Sequence, residues 1–225
     1  MNEYVIQLDR VSAGSGADRA PLIITSRAHF GHWAYCGAVV KNLVTRAKDV
    51  AEVELASISD RLAHVSGVAA TADKVASSLL RNQRHDVVAA ALLHDVGYGP
   101  RVRNSGFHPL DGAAFLRSEG FPGVVVSLVA FHSGASEEAD ERGSKELLSQ
   151  FTSPPNDLLD ILTYADMTTG PTGDPVTVES RIAEIFDRYP SSDPVYRAVS
   201  RSAPALKAVV RRIDDQLEQL RHQPK

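Results

Sequence analysis

From Val87 to Leu93 every position is apolar, which predicts a helix buried on all sides rather than one with a wet face. The run ends in His94-Asp95. Gly97, Gly99 and Pro100 follow, and Gly97 is expected to supply the left-handed residue that closes the helix. Upstream, Leu62, Val65, Val68, Ala72, Val75 and Leu79 recur at helical spacing, which predicts a helix over Ser57–Leu80 capped by Ser59 or Asp60. Downstream, Pro109 suits a first helical position and leaves His108 at or near the cap, with Ala113, Ala114, Phe115 and Leu116 facing inward. Gly123–His132, GVVVSLVAFH, has strand propensity, but its length and neighbours favour a short buried helix.

After Pro154-Pro155, Asn156 is expected to cap a helix over Asp157–Met167, with Asp166 in its last turn. An amphipathic helix is expected over Thr177–Tyr189, with Val178, Ile182, Ile185 and Phe186 inward. A short one is expected from Asp193-Pro194, and a last one opening at Pro204. The stripe Leu206, Val210, Ile213, Leu217, Leu220 reads as a packing face, with a homodimer as the lesser reading. Ser136–Arg142 reads as an acidic surface loop. Near the start, Tyr4–Leu8 is a candidate strand, Ser12–Asp18 a turn, and residues 28–48 hold a plausible helix. The expectation is an all-α fold, with an irregular N-terminal extension over 1–55 and a helical domain over 56–222.

A chain of 225 residues with 43% hydrophobic positions suits one domain with a full core. The net charge of −4 shows no basic surface, so neither a nucleic-acid polymer nor an anionic membrane is expected as a partner. No apolar run nears the roughly 20 residues of a membrane span, and MNEYVIQLDRV lacks the pattern of a signal peptide. The single Cys36 excludes an internal disulfide and fits a reducing cytoplasm.

The placement of polar residues is more telling. His94, Asp95, His132 and Asp166 each end an otherwise greasy helix, and His64 and His108 flank similar ones. A lone histidine in such a place is usually a partnered structural residue, and an N-terminal one can simply be a cap. A set of imidazoles and carboxylates at several helix ends is harder to explain by packing, because an unpaired buried carboxylate costs several kcal/mol. A divalent cation removes that cost, and a helix C-terminus favours cations. Nitrogen and oxygen donors without cysteine suit Fe, Mn, Zn, Mg, Ni or Co. His29, His32 and Cys36 also share helical spacing, but spacing is all that supports a ligand set there, and a half-buried surface helix is the favoured reading.

His64, then His94-Asp95 within LLHDVGY, then Asp166 within ADMT resemble the H…HD…D pattern of the HD-domain superfamily of metal-dependent phosphohydrolases, over about residues 58–170. GFHPLDGA at His108 and VAFHSG at His132 are similar to the segments that supply a second metal in binuclear members, such as bacterial diadenosine-tetraphosphate hydrolases and HD-GYP phosphodiesterases. The resemblance implies a first ion on His64, His94, Asp95 and Asp166, and a second on Asp95, His108 and His132. Asp95, His108 and His132 are then the catalytic residues. The chain departs from HD-GYP proteins in having Tyr98 where they have lysine, only His132 where they have paired histidines, and no GYP segment, which argues against cyclic di-GMP.

The implied reaction is attack of a metal-activated water on a phosphomonoester or phosphodiester, with a small phosphorylated substrate, a nucleotide foremost. Arg101 and Arg103 are candidates to grip its phosphate, though both also read as solvated loop charges. Thr168 and Thr169 can touch substrate or cap the Asp166 helix. Two rival functions use the same residues: a mixed-valent di-iron oxygenase of the same fold, and a non-catalytic nucleotide-binding regulator.

Overall fold

The structure is a computed structural model, and it describes residues 32–222 of the chain, with side chains from residue 43. The candidate strand at Tyr4–Leu8, the turn at Ser12–Asp18 and the His29/His32/Cys36 grouping lie outside the described residues or side chains. The elements in order are α1 (His32–Glu54), α2 (Ser59–Leu79), α3 (Arg84–Leu93), α4 (His108–Ser118), α5 (Gly123–Phe131), α6 (Ala135–Glu141), α7 (Lys145–Leu148), α8 (Asn156–Met167), α9 (Val178–Arg188) and α10 (Pro194–His222). Short 3-10 turns follow α3 and α5. Among the described residues there is no strand, only an isolated bridge between Thr169 and Pro175, and the fold is all-α. No described helix is long and apolar enough to cross a membrane.

The apolar run fixes the centre. Val87 to Leu93 are all buried, and α3 packs against α1, α2, α5 and α8. Ala47 of α1 belongs to the same core, so packing extends upstream of residue 56. The Gly123 segment is helical, because Val125, Val126, Leu128 and Val129 are buried together as one side of a helix among helices. Met167, Val178, Ile182, Val199, Leu206 and Val210 form a second cluster that fastens α9 and α10 to the end of α8.

Four local expectations are corrected. Residues 135–141 are helical rather than a loop, since Ala135, Glu138 and Ala139 form a buried face. Pro204 lies inside α10 rather than opening it; the helix runs on because Leu206, Val210 and Ile213 continue the buried stripe past it. None of Ser59, Asp60 and Asn156 is a cap residue: all lie within the first turn, after Ile58 and Pro155. Gly97 does not adopt a left-handed conformation; it lies in the 3-10 turn Val96–Tyr98. It is needed for space, because a Cβ there would stand 2.0 Å from the His108 carbonyl oxygen. That approach clamps the end of α3 onto the start of α4.

Gly97→Ala should therefore destabilise the protein by about 1–3 kcal/mol or prevent folding. Gly123→Ala, where a Cβ meets nothing within 4 Å, should change little. Thermal denaturation of the two variants checks this; equal melting temperatures would remove the clamp.

Candidate metal centre

The end of α3, the start of α4, the end of α5, the end of α8 and the first turns of α2 converge. His64, His94, Asp95, His132 and Asp166 are all buried there, and His108 is nearly so. His64 and Asp166 meet first, with Nε2 and Oδ1 3.1 Å apart. His94 Nε2 lies 3.5 Å from Asp95 Oδ2 and 3.8 Å from Asp166 Oδ1. On the far side, His108 Nε2 stands 3.4 Å from Asp95 Oδ1 and 3.2 Å from His132 Nε2. The two oxygens of Asp95 thus face different imidazoles, Oδ2 toward His64 and His94 and Oδ1 toward His108.

The backbone decides which nitrogens face inward. His64 Nδ1 lies 2.9 Å from the Gly170 carbonyl, His94 Nδ1 2.8 Å from that of Ala91, and His132 Nδ1 2.7 Å from that of Val129. A carbonyl only accepts, so each Nδ1 carries a proton and donates it. In the neutral ring each Nε2 is then a bare lone pair aimed at the cluster. His94 Nε2 is buried and has no hydrogen-bond partner. Electron pairs of His64 Nε2 and Asp166 Oδ1 would face each other across 3.1 Å unless the ring gains a second proton or both face a cation. The residues therefore fit a metal. His64, His94 and Asp166 form one group whose donor atoms lie within 4.8 Å of one another, and His94, Asp95 and His132 form another. Donation from Nδ1 to a carbonyl is also what fixes metal-ligating imidazoles in orientation.

Protonation states agree. Burial pushes His94 down to about 4, against the pull of Asp95 and Asp166, and burial likewise holds His108 well below the ordinary histidine range. Burial pushes the Asp95 carboxyl up, but Arg61 and the surrounding histidines hold it well below the usual carboxylate range. Asp166 is held low in the same way, against burial, chiefly by His64, His94 and Arg181. Neutral imidazoles beside ionised carboxylates are the forms that bind cations.

All six residues expected as metal ligands thus meet in one place. The two expected phosphate-gripping arginines do not join them. Both arms of Arg101 bind Glu54 at the end of α1, and Arg103 is exposed with no contact to the cluster. Carboxylate pairing on the opposite side of the turn accounts for Arg101. The cations that do reach the cluster escaped the sequence reading. Arg61 Nη1 donates to Asp95 Oδ2 at 2.7 Å, and its guanidinium lies 4.3 Å over the Tyr98 ring, which in turn stacks on His108 at 4.1 Å. Arg181, buried on α9, lies 3.7 Å from Asp166. Arg61 precedes His64 by one helical turn and so shares its face, a spacing that could have found it. Arg181 was visible as a charge inside the apolar stripe of Val178 and Ile182. Thr168 and Thr169 donate to the carbonyls of Tyr164 and Ala165, so both cap the α8 end.

A cavity of about 410 Å³ lined by Ile58, Asp60, Arg61, His64, Pro171, Glu184 and Arg188 opens on this cluster from the α2 side. A family model described as HD domain matches residues 61–190, a span that contains every residue of the cluster. No solved structure matches the chain.

Because His94 stays neutral down to about pH 4 in the fold but takes up a proton near 6.5 when unfolded, it contributes stability fully present above 6.5 and lost as pH falls toward 4. The melting temperature of chelator-treated protein should fall over that window, and more gently in His94→Asn. Parallel slopes in the two proteins would contradict the assignment.

Proposed function

The chain belongs to the HD-domain family, and from that premise we propose that the buried cluster is a binuclear metal centre hydrolysing a small phosphoester, a nucleotide foremost. Members of the family are mostly metal-dependent hydrolases, and the His/Asp groups here could hold metal. The observation that carries the binuclear reading is Asp95, whose Oδ2 faces His64 and His94 while its Oδ1 faces His108. His64, His94, Asp95 and Asp166 would hold one ion, and Asp95, His108 and His132 the other. When bound, divalent ions supply Lewis acidity toward a phosphoryl oxygen and acidify a water toward neutrality.

The chain's own residues supply the rest. The Gly170, Ala91 and Val129 carbonyls hold three imidazoles with Nε2 inward, so the donor array is formed before substrate arrives. Arg61 lies at once on Asp95 and on the cavity wall, so its guanidinium is placed to take a non-bridging phosphate oxygen in exchange for part of its contact with Asp95. Tyr98 holds Arg61 and His108 in place by stacking on both. The cavity volume suits a mononucleotide or a smaller phosphoester better than a polymer.

The test is turnover of nucleotides, dinucleotides and phosphomonoesters by metal-loaded protein, with and without dioxygen. Release of phosphate or a nucleotide monophosphate, independent of oxygen, is expected; turnover only with oxygen would support an oxygenase instead, and none with either would support a binding role. Asp95→Ala should lower activity by at least about 1000-fold while circular dichroism stays helical. His108→Ala should lose one ion of two by elemental analysis, and unchanged stoichiometry would remove His108 from the centre. Arg61→Gln should raise KM more than it lowers kcat, by about tenfold or more; an unchanged KM would deny it a substrate contact.

A further inference from the structure

A cavity of about 730 Å³ lies away from the metal centre, between α2, α8, α10 and the segment leading into α9. Its floor is apolar, with Val75, Val210 and Leu217, and its rim carries Lys74, Arg211 and Arg221. These three cations stand out against the rest of the surface. Most described lysines and arginines pair with a carboxylate, a carbonyl or an aromatic ring, as Arg84 does with Asp73, Arg212 with Asp160, Arg201 with Glu141 and Arg117 with Phe151. Among the described residues no ion pair, hydrogen bond or ring contact holds the charged groups of Lys74, Arg211 and Arg221, although the charge of Arg221 acts on the Tyr164 hydroxyl, and only the side chains of Arg81 and Arg103 share that condition elsewhere.

Acids are present at the same cavity, yet each is engaged. Asp214 accepts a hydrogen bond from the Tyr164 hydroxyl at 2.9 Å, and Glu179 lies 3.8 Å from Lys207. Burial, with the hydrogen bond to Asp214, raises the Tyr164 phenol to about 12, so the tyrosine stays a neutral donor. The cavity therefore offers an apolar floor and, around it, three cations against the two carboxylates of Asp214 and Glu179. That combination complements a molecule with an anionic head and an apolar body, and the volume lies in the range of pockets that enclose such molecules.

We propose that the α2–α8–α10 cavity is a second binding site, distinct from the metal centre, for a small amphiphilic organic anion. Lys74 and Arg211 contact the head from α2 and α10, and Val75, Val210 and Leu217 receive the body. The ligand would lie on the back of α8, which carries Asp166 on its other side, and against Val176, whose amide donates to the Thr168 carbonyl.

The probe is 8-anilinonaphthalene-1-sulfonate, itself an anionic amphiphile, titrated into the folded full-length protein and followed by fluorescence. One dye per chain is expected, displaced by decanoate below its micellar range and not by inorganic phosphate at equal concentration. The double variant Lys74→Gln/Arg211→Gln should weaken the dye by about tenfold or more, since both cations are exposed and their loss leaves the core intact. Ser78→Trp, which fills the cavity mouth and keeps the cations, should abolish binding, while Arg81→Gln should not alter it. Absence of dye binding, equal binding in the double variant and in Ser78→Trp, or equal displacement by phosphate would each overturn the proposal. Metal content and phosphoester turnover are measured alongside, and their failure bears on the metal centre alone.

Discussion

Three imidazole lone pairs and two carboxylates confined in one buried volume set the terms for the rest of the structure. Each of His64, His94 and His132 gives its only mobile proton to a backbone carbonyl, which leaves the inward nitrogen without one. No arrangement of neutral rings and ionised carboxylates satisfies those atoms from within. Arg61 and Arg181 offset part of the negative charge but leave His94 Nε2 unpartnered. A cation fits all of them together.

The fold can be read as the means of holding these groups against their mutual repulsion. A helix buried on every side, α3, gives His94 and Asp95 a rigid base. The absent Cβ of Gly97 lets the α4 backbone come close enough to set His108 against Asp95. After α5 the chain turns sharply at Ser133 and Gly134, both with positive φ, so His132 ends its helix facing inward while α6 folds back. The loop after α8 returns to bind the far side of His64 through Gly170. Preorganisation of this kind lets binding energy go into the cation and the substrate rather than into ordering the site.

Much of this was legible in the chain itself. The apolar run before His94 announced burial, and helical periodicity placed His64, His108, His132 and Asp166 near helix ends. The resemblance of LLHDVGY and ADMT then tied those ends to one site. What stayed hidden had physical causes. Burial of α6 depends on a face of Ala135, Glu138 and Ala139 within an acidic segment, where charge count conceals a narrow apolar stripe. Continuity through Pro204 depends on tertiary packing overriding a helix breaker. Arg101 looked suited to phosphate because it follows the HD turn, but partner choice is a matter of three dimensions, and Glu54 from α1 lay nearer. Arg61 was missed because a charge one turn before a histidine looks like any solvated helix residue until Asp95 is seen beside it.

Elemental analysis of the purified full-length protein, after reconstitution with Mn, Fe or Zn and removal of free ion, tests the central claim most directly. The account predicts about two equivalents of metal per chain. Protein that remains folded and retains less than about a tenth of an equivalent with every metal would contradict it.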